Sequence, residues 1–312
     1  MSKLNFNKTK IEALIKEFFP KSILEDYSQF STGLVSPTFK VQINNPSKIL
    51  VVKLGKMKNK NRFHQNNKIL NYLNKHNIPA PKVYSDGIMD KKFITIMEYS
   101  SGSVASEIYK KANINLRKKI LIDAGKKLKL IHNLKIPSFW VHQHHEIKNS
   151  EEWKRWTKLR IDKYLKFFRR KLNNDYDFLE KELNNFWEIL KKEKIDFVPL
   201  HWDYHLSNLN VNSKGEITGI FDFDNAMKGH SLGDMGQTAY WITFEMDDYK
   251  NFKNFLKGYG SDFTEKELKL IKGYFLLHLL AVSRTIWFRK KRLSWIIEKH
   301  KKILGDFKKG KF

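Results

Sequence analysis

The sequence contains no cysteine, which removes disulfides, thiolate zinc sites and cysteine nucleophiles from consideration. Acids are scarce beside bases, 33 Asp and Glu against 59 Lys and Arg, giving a formal charge of +26. No apolar run approaches the roughly 18 residues a membrane-spanning helix needs. The opening Met1-Ser2-Lys3-Leu4-Asn5 is polar and lacks the apolar core of a secretory leader, so a cytoplasmic location is expected. With 312 residues, 41% hydrophobic and 14% aromatic, the chain is no disordered tail and can bury one large core or two lobes. The positive field would attract nucleic acid, anionic lipid heads or phosphorylated substrates. Lysine is nevertheless spread along the whole chain, as a compositional bias would spread it, and contact with nucleic acid or an anionic membrane is the less favoured reading. One basic cluster stands out, Arg284 with Arg289, Lys290, Lys291 and Arg292, followed by Lys308, Lys309 and Lys311.

Three acids and one amide lie within residues 199–236 at spacings that suit a phosphoryl-transfer site. His201-Trp202-Asp203 followed by Asn208 has the H-x-D-x-x-x-x-N spacing of a kinase catalytic loop. In such a loop the Asp accepts the proton of the substrate hydroxyl and the Asn holds a magnesium ion. Downstream, the apolar run 217–221 delivers Asp222 to its end, where a carboxylate can bind phosphate-bridging magnesium. The short apolar segments 209–211 and 217–221 flank a polar turn containing Lys214-Gly215, a hairpin signal. The competing reading is a surface hairpin carrying ordinary turn residues.

The stretches HWDYHLSN (201–208) and IFDFDNA (220–226), with Gly233-Asp234-Met235, resemble the aminoglycoside phosphotransferase and choline kinase superfamily. The resemblance runs from Phe30 to about Leu304. It implies an α+β, protein-kinase-like two-lobed fold: an N-terminal antiparallel sheet lobe over residues 1–99 and a larger, mostly helical C-terminal lobe over 100–312. By this likeness Asp203 is the catalytic residue, Asn208 and Asp222 are magnesium ligands, and Asp234 supports the catalytic loop. His201 packs and hydrogen-bonds there. The implied cosubstrate is ATP, with magnesium.

Other family parts are less complete. The turn 31–37 corresponds to the loop that covers ATP phosphates, yet has a single Gly33, so a phosphate cradle rests on backbone amides near Ser36 and on its hydroxyl. Lys53 interrupts the β-branched run ILVVKL, and a charge there is costly to bury unless an anion such as a phosphate meets it. The alternative is an edge-strand lysine facing solvent. Kinases orient this lysine with a glutamate from the next helix. Residues 63–76 form that helix and contain no acid; the position falls near Gln65 or Asn66. An amide contact therefore replaces the ion pair, or it is absent. The Pro-bounded segment 77–83 resembles the family's linker into the next strand. After strand 93–99 comes the hinge, where the backbone of Met97 and Tyr99 is expected to meet adenine.

Residues 120–198 read as helices with aromatic inner faces, roughly twice the interval a protein kinase has there, and no A-P-E follows Asp222. Both features suit a small-molecule acceptor. His132 reads as a satisfied core histidine, and His142, His144 and His145, with only Glu146 close by, as a solvated loop. Glu245, Asp247 and Asp248, with Tyr240, Trp241 and Trp287, could serve a cationic acceptor or could be ordinary surface and core. The reading is an ATP- and magnesium-dependent kinase acting on a hydroxyl of a small molecule. A choline/ethanolamine-type kinase and a nucleotide-binding pseudokinase are the alternatives.

Overall fold

A computed structural model of the chain describes residues 8–30, 37–141, 147–172, 175–260, 262–288 and 294–311. Chain contacts divide it into two units, Met1–Ser101 with Gly219–Asp224, and Gly102–Thr218 with Asn225–Phe312.

The first unit is built on a five-stranded antiparallel sheet of order β1-β2-β3-β5-β4, from β1 (Ile23–Gln29), β2 (Thr38–Asn44), β3 (Lys48–Lys56), β4 (Val83–Met89) and β5 (Lys92–Glu98). Alternation in β2 buries Phe39, Val41 and Ile43, and that in β3 buries Leu50, Val52 and Leu54. Helix α1 (Lys8–Phe18) repeats apolar residues at helical spacing and adds Ile11, Leu14 and Ile15 to the same core. Helix α2 (Lys60–Lys75) buries Phe63, Ile69, Leu70 and Leu73, and with them two amides, Asn66 and Asn67. Asn67 donates to Thr95 Oγ1 at 2.9 Å and to Asp86 Oδ2 at 3.0 Å, so its polarity is matched at depth.

The second unit is mostly helical. The two-residue strand β6 (Ser103–Val104) leads into α3 (Ala105–Lys111), α4 (Ile114–His132), α5 (Ser150–Phe168) and α6 (Tyr176–Leu190). Asn113 and Asn149 cap α4 and α5 by accepting from the amides of Leu116 and Glu152. Strand β7 (Phe197–Leu200) then enters the loop of Asp203, and β8 (Leu209–Val211) leaves it, pairing with β6. Strand β9 (Ile217–Ile220) carries the chain out of this unit, and β10 (Met227–His230) brings it back to pair antiparallel with β7. Gly229 of β10 must be glycine, since a Cβ there would lie 2.0 Å from the ring of buried Trp153. Helices α7 (Ser231–Met246), α8 (Phe252–Tyr259), α9 (Glu265–Phe288) and α10 (Ser294–Lys308) complete the unit. Thr264 and Glu267 form a reciprocal capping box at the start of α9. Among the described residues no helix is long and apolar enough to cross a membrane.

This is the expected fold class, an antiparallel-sheet N-terminal lobe followed by a mostly helical C-terminal lobe.

Candidate functional site

In the second unit the loop between β7 and β8 is organised by one buried carboxylate. Asp234, 0% exposed on the first turn of α7, accepts from the amide of His201 at Oδ2 and from that of Trp202 at Oδ1, both at 2.8 Å. The same Oδ2 lies 3.2 Å from His132 Nε2, whose other ring nitrogen meets the Tyr259 hydroxyl at 2.8 Å. His132 is thus a satisfied core histidine, and also a member of the loop's clamp. Trp202 has a left-handed φ of +60°, a strained conformation for a bulky residue that the clamp holds in place. His201 is fully buried, with its ring 5.5 Å from that of Tyr204.

Beyond the clamp the chain presents Asp203, whose side chain is 25% exposed. Asn208 Nδ2 donates to the Asp203 carbonyl at 3.0 Å, so Oδ1 is the Asn208 atom left to meet a cation. Asn225 Nδ2 approaches Asp203 Oδ2 at 3.4 Å. His205 lies between two acids, with Nε2 3.8 Å from Asp203 Oδ1 and Nδ1 3.3 Å from Glu245 Oε1. Its ring stacks on Trp241 at 4.9 Å. Sequence reasoning passed over His205 and Asn225, although they stand two residues from Asp203 and three from Asp222.

The acids 245–248 do not act as one cluster. Glu245 faces His205 and accepts from Ser207 Oγ at 3.1 Å. Asp248 accepts from the Tyr109 hydroxyl at 2.8 Å and from Asn251. Asp247 pairs with exposed Lys302. Tyr240 is buried and bonded to His300, and Trp287 is 43% exposed beside Phe167. These aromatics form no common cage.

In the first unit the run after β9 brings Asp222 and Asp224 together with two cations. Asp222 has a left-handed φ of +64°. Its Oδ1 and that of Asp224 are buried and find no hydrogen-bond donor among the described residues. Burial, then the charge of Asp222, pushes the Asp224 carboxyl up from 3.8 to about 6, while Lys53 and Arg62 pull it down. Arg62 Nε stands 3.1 Å from Asp224 Oδ2. Lys53 extends over the face of Phe63 at 5.1 Å. Phe63 in turn needs Gly55 beneath it, where a Cβ would come within 2.6 Å of the ring.

The acid missing from α2 has a successor in a different role. Asn66 Oδ1 accepts from the amide of Phe223 at 3.0 Å, so α2 holds the backbone between the two aspartates rather than the lysine. Two orphaned carboxylate oxygens beside matched cations suit a hard, oxygen-loving ion such as magnesium. Among the described residues no group of three or more His, Cys, Asp or Glu could hold a metal ion.

Two sequence expectations meet limits. Ser36, the proposed phosphate-loop residue, lies outside the described residues, as do 142–146 and the basic residues 289–292. Met97 is internal to β5, opposite Val51 on one side and Val83 on the other, and the Tyr99 amide donates to Ile49 O at 3.2 Å. Those hinge amides therefore belong to the sheet.

A sheet lobe carrying Lys53 and paired aspartates, with a helical lobe carrying a clamped H-x-D-x4-N loop, defines the class of kinase-fold phosphotransferases. The model of the phosphotransferase enzyme family matches residues 26–270, and the chain belongs to that family. No curated protein sequence matches it. Among solved structures, it is similar to the GDP and kanamycin complex of APH(2")-IIIa, with a TM-score of 0.70 and 12% identity over 98% of this chain and 100% of that one. A thermostable mutant of aminoglycoside phosphotransferase APH(4)-Ia gives 0.65 at 15% identity, over 95% and 98% of the two chains. APH(3'')-Id from Streptomyces rimosus, in complex with ADP and streptomycin, gives 0.56 at 12% identity over 86% and 98%. At such identities the likeness shows the fold.

Proposed function

We propose that this protein transfers the terminal phosphoryl group of ATP, with magnesium, to a hydroxyl of a small molecule in the cytoplasm. The observation that carries the reading is the pair of buried, donorless oxygens on Asp222 and Asp224 beside Lys53 and Arg62, charges that suit a cation and phosphates. Support comes from the family membership and from the nucleotides in the names of the solved neighbours. Asp222 and Asn208 would hold the magnesium, which when bound would supply charge neutralisation at the phosphates.

The chain's own residues then have separable roles. Residues 1–99 serve as the nucleotide lobe and 100–312 as the acceptor lobe. Asp222 and Asn208 Oδ1 are the metal ligands. Lys53, unpaired with any helix acid, directs its ammonium to phosphate. With the amides of Met97 and Tyr99 held in the sheet, the base meets the chain from the carbonyl of Tyr99 onward. Asp203 holds the acceptor hydroxyl by accepting its hydrogen bond and takes its proton as the new acceptor O–P bond forms and the terminal phosphorus parts from the bridging oxygen, which leaves with ADP. A carboxylate is a weak base, so the main contribution is orientation. Asp234 and His201 keep this loop in place.

Magnesium-dependent ADP release from ATP, run against hydroxyl compounds of several charge types, tests the reading. Asp203→Asn is expected to lower turnover about 1,000-fold while nucleotide affinity changes less than about threefold. Turnover equal to wild type would refute the assignment of Asp203.

A further inference from the structure

The C-terminal ends of α5 and α9 meet in a patch of rings and cations, all within the second unit. The apolar stripe of α5 buries Trp153, Ile161, Leu165 and Phe168 at helical spacing. Phe167 falls outside that stripe and is half-buried. On α9 the last buried residue is Ile286, and Trp287 and Phe288 beyond it are 43% and 63% exposed. The Phe167 ring lies 5.4 Å from that of Phe288 and 6.4 Å from that of Trp287. Single exposed rings are ordinary on a protein surface, but rings from two helices gathered against one another mark a contact site.

Cations sit among these rings. The Arg284 guanidinium is 5.4 Å from the centre of Phe167 and 5.0 Å from that of Phe288. Lys171 Nζ is 4.3 Å from Phe167 and 5.8 Å from Trp287, and it donates to the Phe167 carbonyl at 2.9 Å. The surrounding chain has one sign. Between Asp162 and Asp175 it holds five Lys and Arg, all exposed, and no acid; the two flanking aspartates pair with Lys158 and Lys308. No Asp or Glu occurs from Leu268 to Ile297. Lysine spread along a chain favours no particular surface, whereas rings set among clustered cations do.

Three occupants suit a positive, aromatic patch in principle, and two of them fit badly. A second copy would bring an equally positive patch against this one, at a formal +26 per chain. A single-stranded nucleic acid would stack its bases on open ring faces, but each of these rings already carries a cation. A bilayer interface takes aromatic rings at headgroup depth with Lys and Arg beside the lipid phosphates, the combination present here. We propose that this patch docks the protein on an anionic lipid surface, with Trp287 and Phe288 in the headgroup layer and Arg170, Lys171 and Arg284 on lipid phosphates. Docking in this way does not depend on the phosphoryl chemistry proposed above.

The test is cosedimentation of the full chain with vesicles of phosphatidylcholine alone, or of phosphatidylcholine and phosphatidylglycerol at about 3:1. Each cation at the surface is worth about fivefold, so the three together should favour the anionic vesicles about 100-fold, less as salt rises. Arg170→Gln with Lys171→Gln should weaken binding about 25-fold. Lys253→Gln with Lys257→Gln on α8, the same loss of charge elsewhere, should weaken it less than about threefold. Phe288→Ala should cost about tenfold. Brominated lipid should quench the tryptophan fluorescence of the bound protein, and quench it less in Trp287→Phe. All these positions are exposed, and circular dichroism checks that the variants fold. Equal binding to neutral and anionic vesicles, equal losses in the two paired variants, or quenching unchanged in Trp287→Phe overturns the proposal. So does a single-stranded oligonucleotide that displaces the protein from vesicles and loses affinity in Phe288→Ala, or a dimer in sedimentation that Phe288→Ala dissociates.

Discussion

Replacing Asp234 by Asn tests the clamp on the reaction loop without knowledge of the substrate. The carboxylate is fully buried and accepts the amides of His201 and Trp202 at 2.8 Å each, with His132 Nε2 at 3.2 Å. In Asp234→Asn one oxygen remains and can keep one amide. The new NH2 group then faces the other amide donor to donor. The contact with His132 can survive, because the imidazole can present an acceptor if its other nitrogen donates to the Tyr259 hydroxyl. The variant therefore loses one charge-assisted hydrogen bond and leaves one backbone N–H without its acceptor, a cost of about 2–3 kcal/mol. Urea unfolding should show that loss as a lower midpoint with an unchanged slope. Native-state hydrogen exchange should show the amides of His201 and Trp202 exchanging on the order of 100-fold faster, with those of β5 changing only as the global stability does. A stability change below about 1 kcal/mol, with both amides still protected, would refute the clamp.

Two further outcomes follow from buried polarity. His230 is buried, and desolvation lowers it from 6.5 to about 4, so the folded chain holds it neutral where the unfolded chain protonates it. Stability from this group is fully present above about 6.5 and is lost as pH falls towards 4, about 2 kcal/mol of it by pH 5. The urea midpoint should fall between pH 7 and 5, less steeply in His230→Gln; identical slopes in the two proteins would contradict the assignment. Asn66→Leu removes the acceptor for the Phe223 amide and should cost about 1–3 kcal/mol while raising the magnesium concentration needed for half-maximal ADP release several-fold. A variant with wild-type magnesium dependence would show that α2 does not hold the metal-site backbone.

What could be read from the sequence was whatever local spacing encodes. The hairpin 209–220, the strand ILVVKL and the long helices follow from period and turn chemistry, and the structure places strands and helices there. β1, β4, β7 and β10 were harder to read. β7 and β10 have four residues each and are defined by pairing across 26 intervening residues. β1 has only one buried position, which leaves almost no alternation to detect. Within the candidate site, Asp203, Asn208 and Asp222 announce themselves by order along the chain. His205 and Arg62 do not, because their places depend on which face of the chain meets which neighbour. The acidic run 245–248 misled for the same reason: one helix end sent its three carboxylates to His205, Lys302 and Tyr109.

The absent helix acid is best understood through local charge. Lys53 and Arg62 oppose Asp222 and Asp224, two against two. A glutamate at position 66 would add a third anion to a set in which Asp224 is already raised to about 6 by burial and by its neighbour. Its usual purpose, holding the lysine, is met here by other means: the backbone of Lys53 is fixed in β3 between Thr38 and Thr95, and its ammonium rests over Phe63. The amide of Asn66 then does what a carboxylate at that depth could do only at the cost of more charge, accepting the Phe223 N–H that sets the spacing of the two aspartates. On the function proposed above, the positive end of Lys53 then serves an incoming phosphate without a helix acid to hold it.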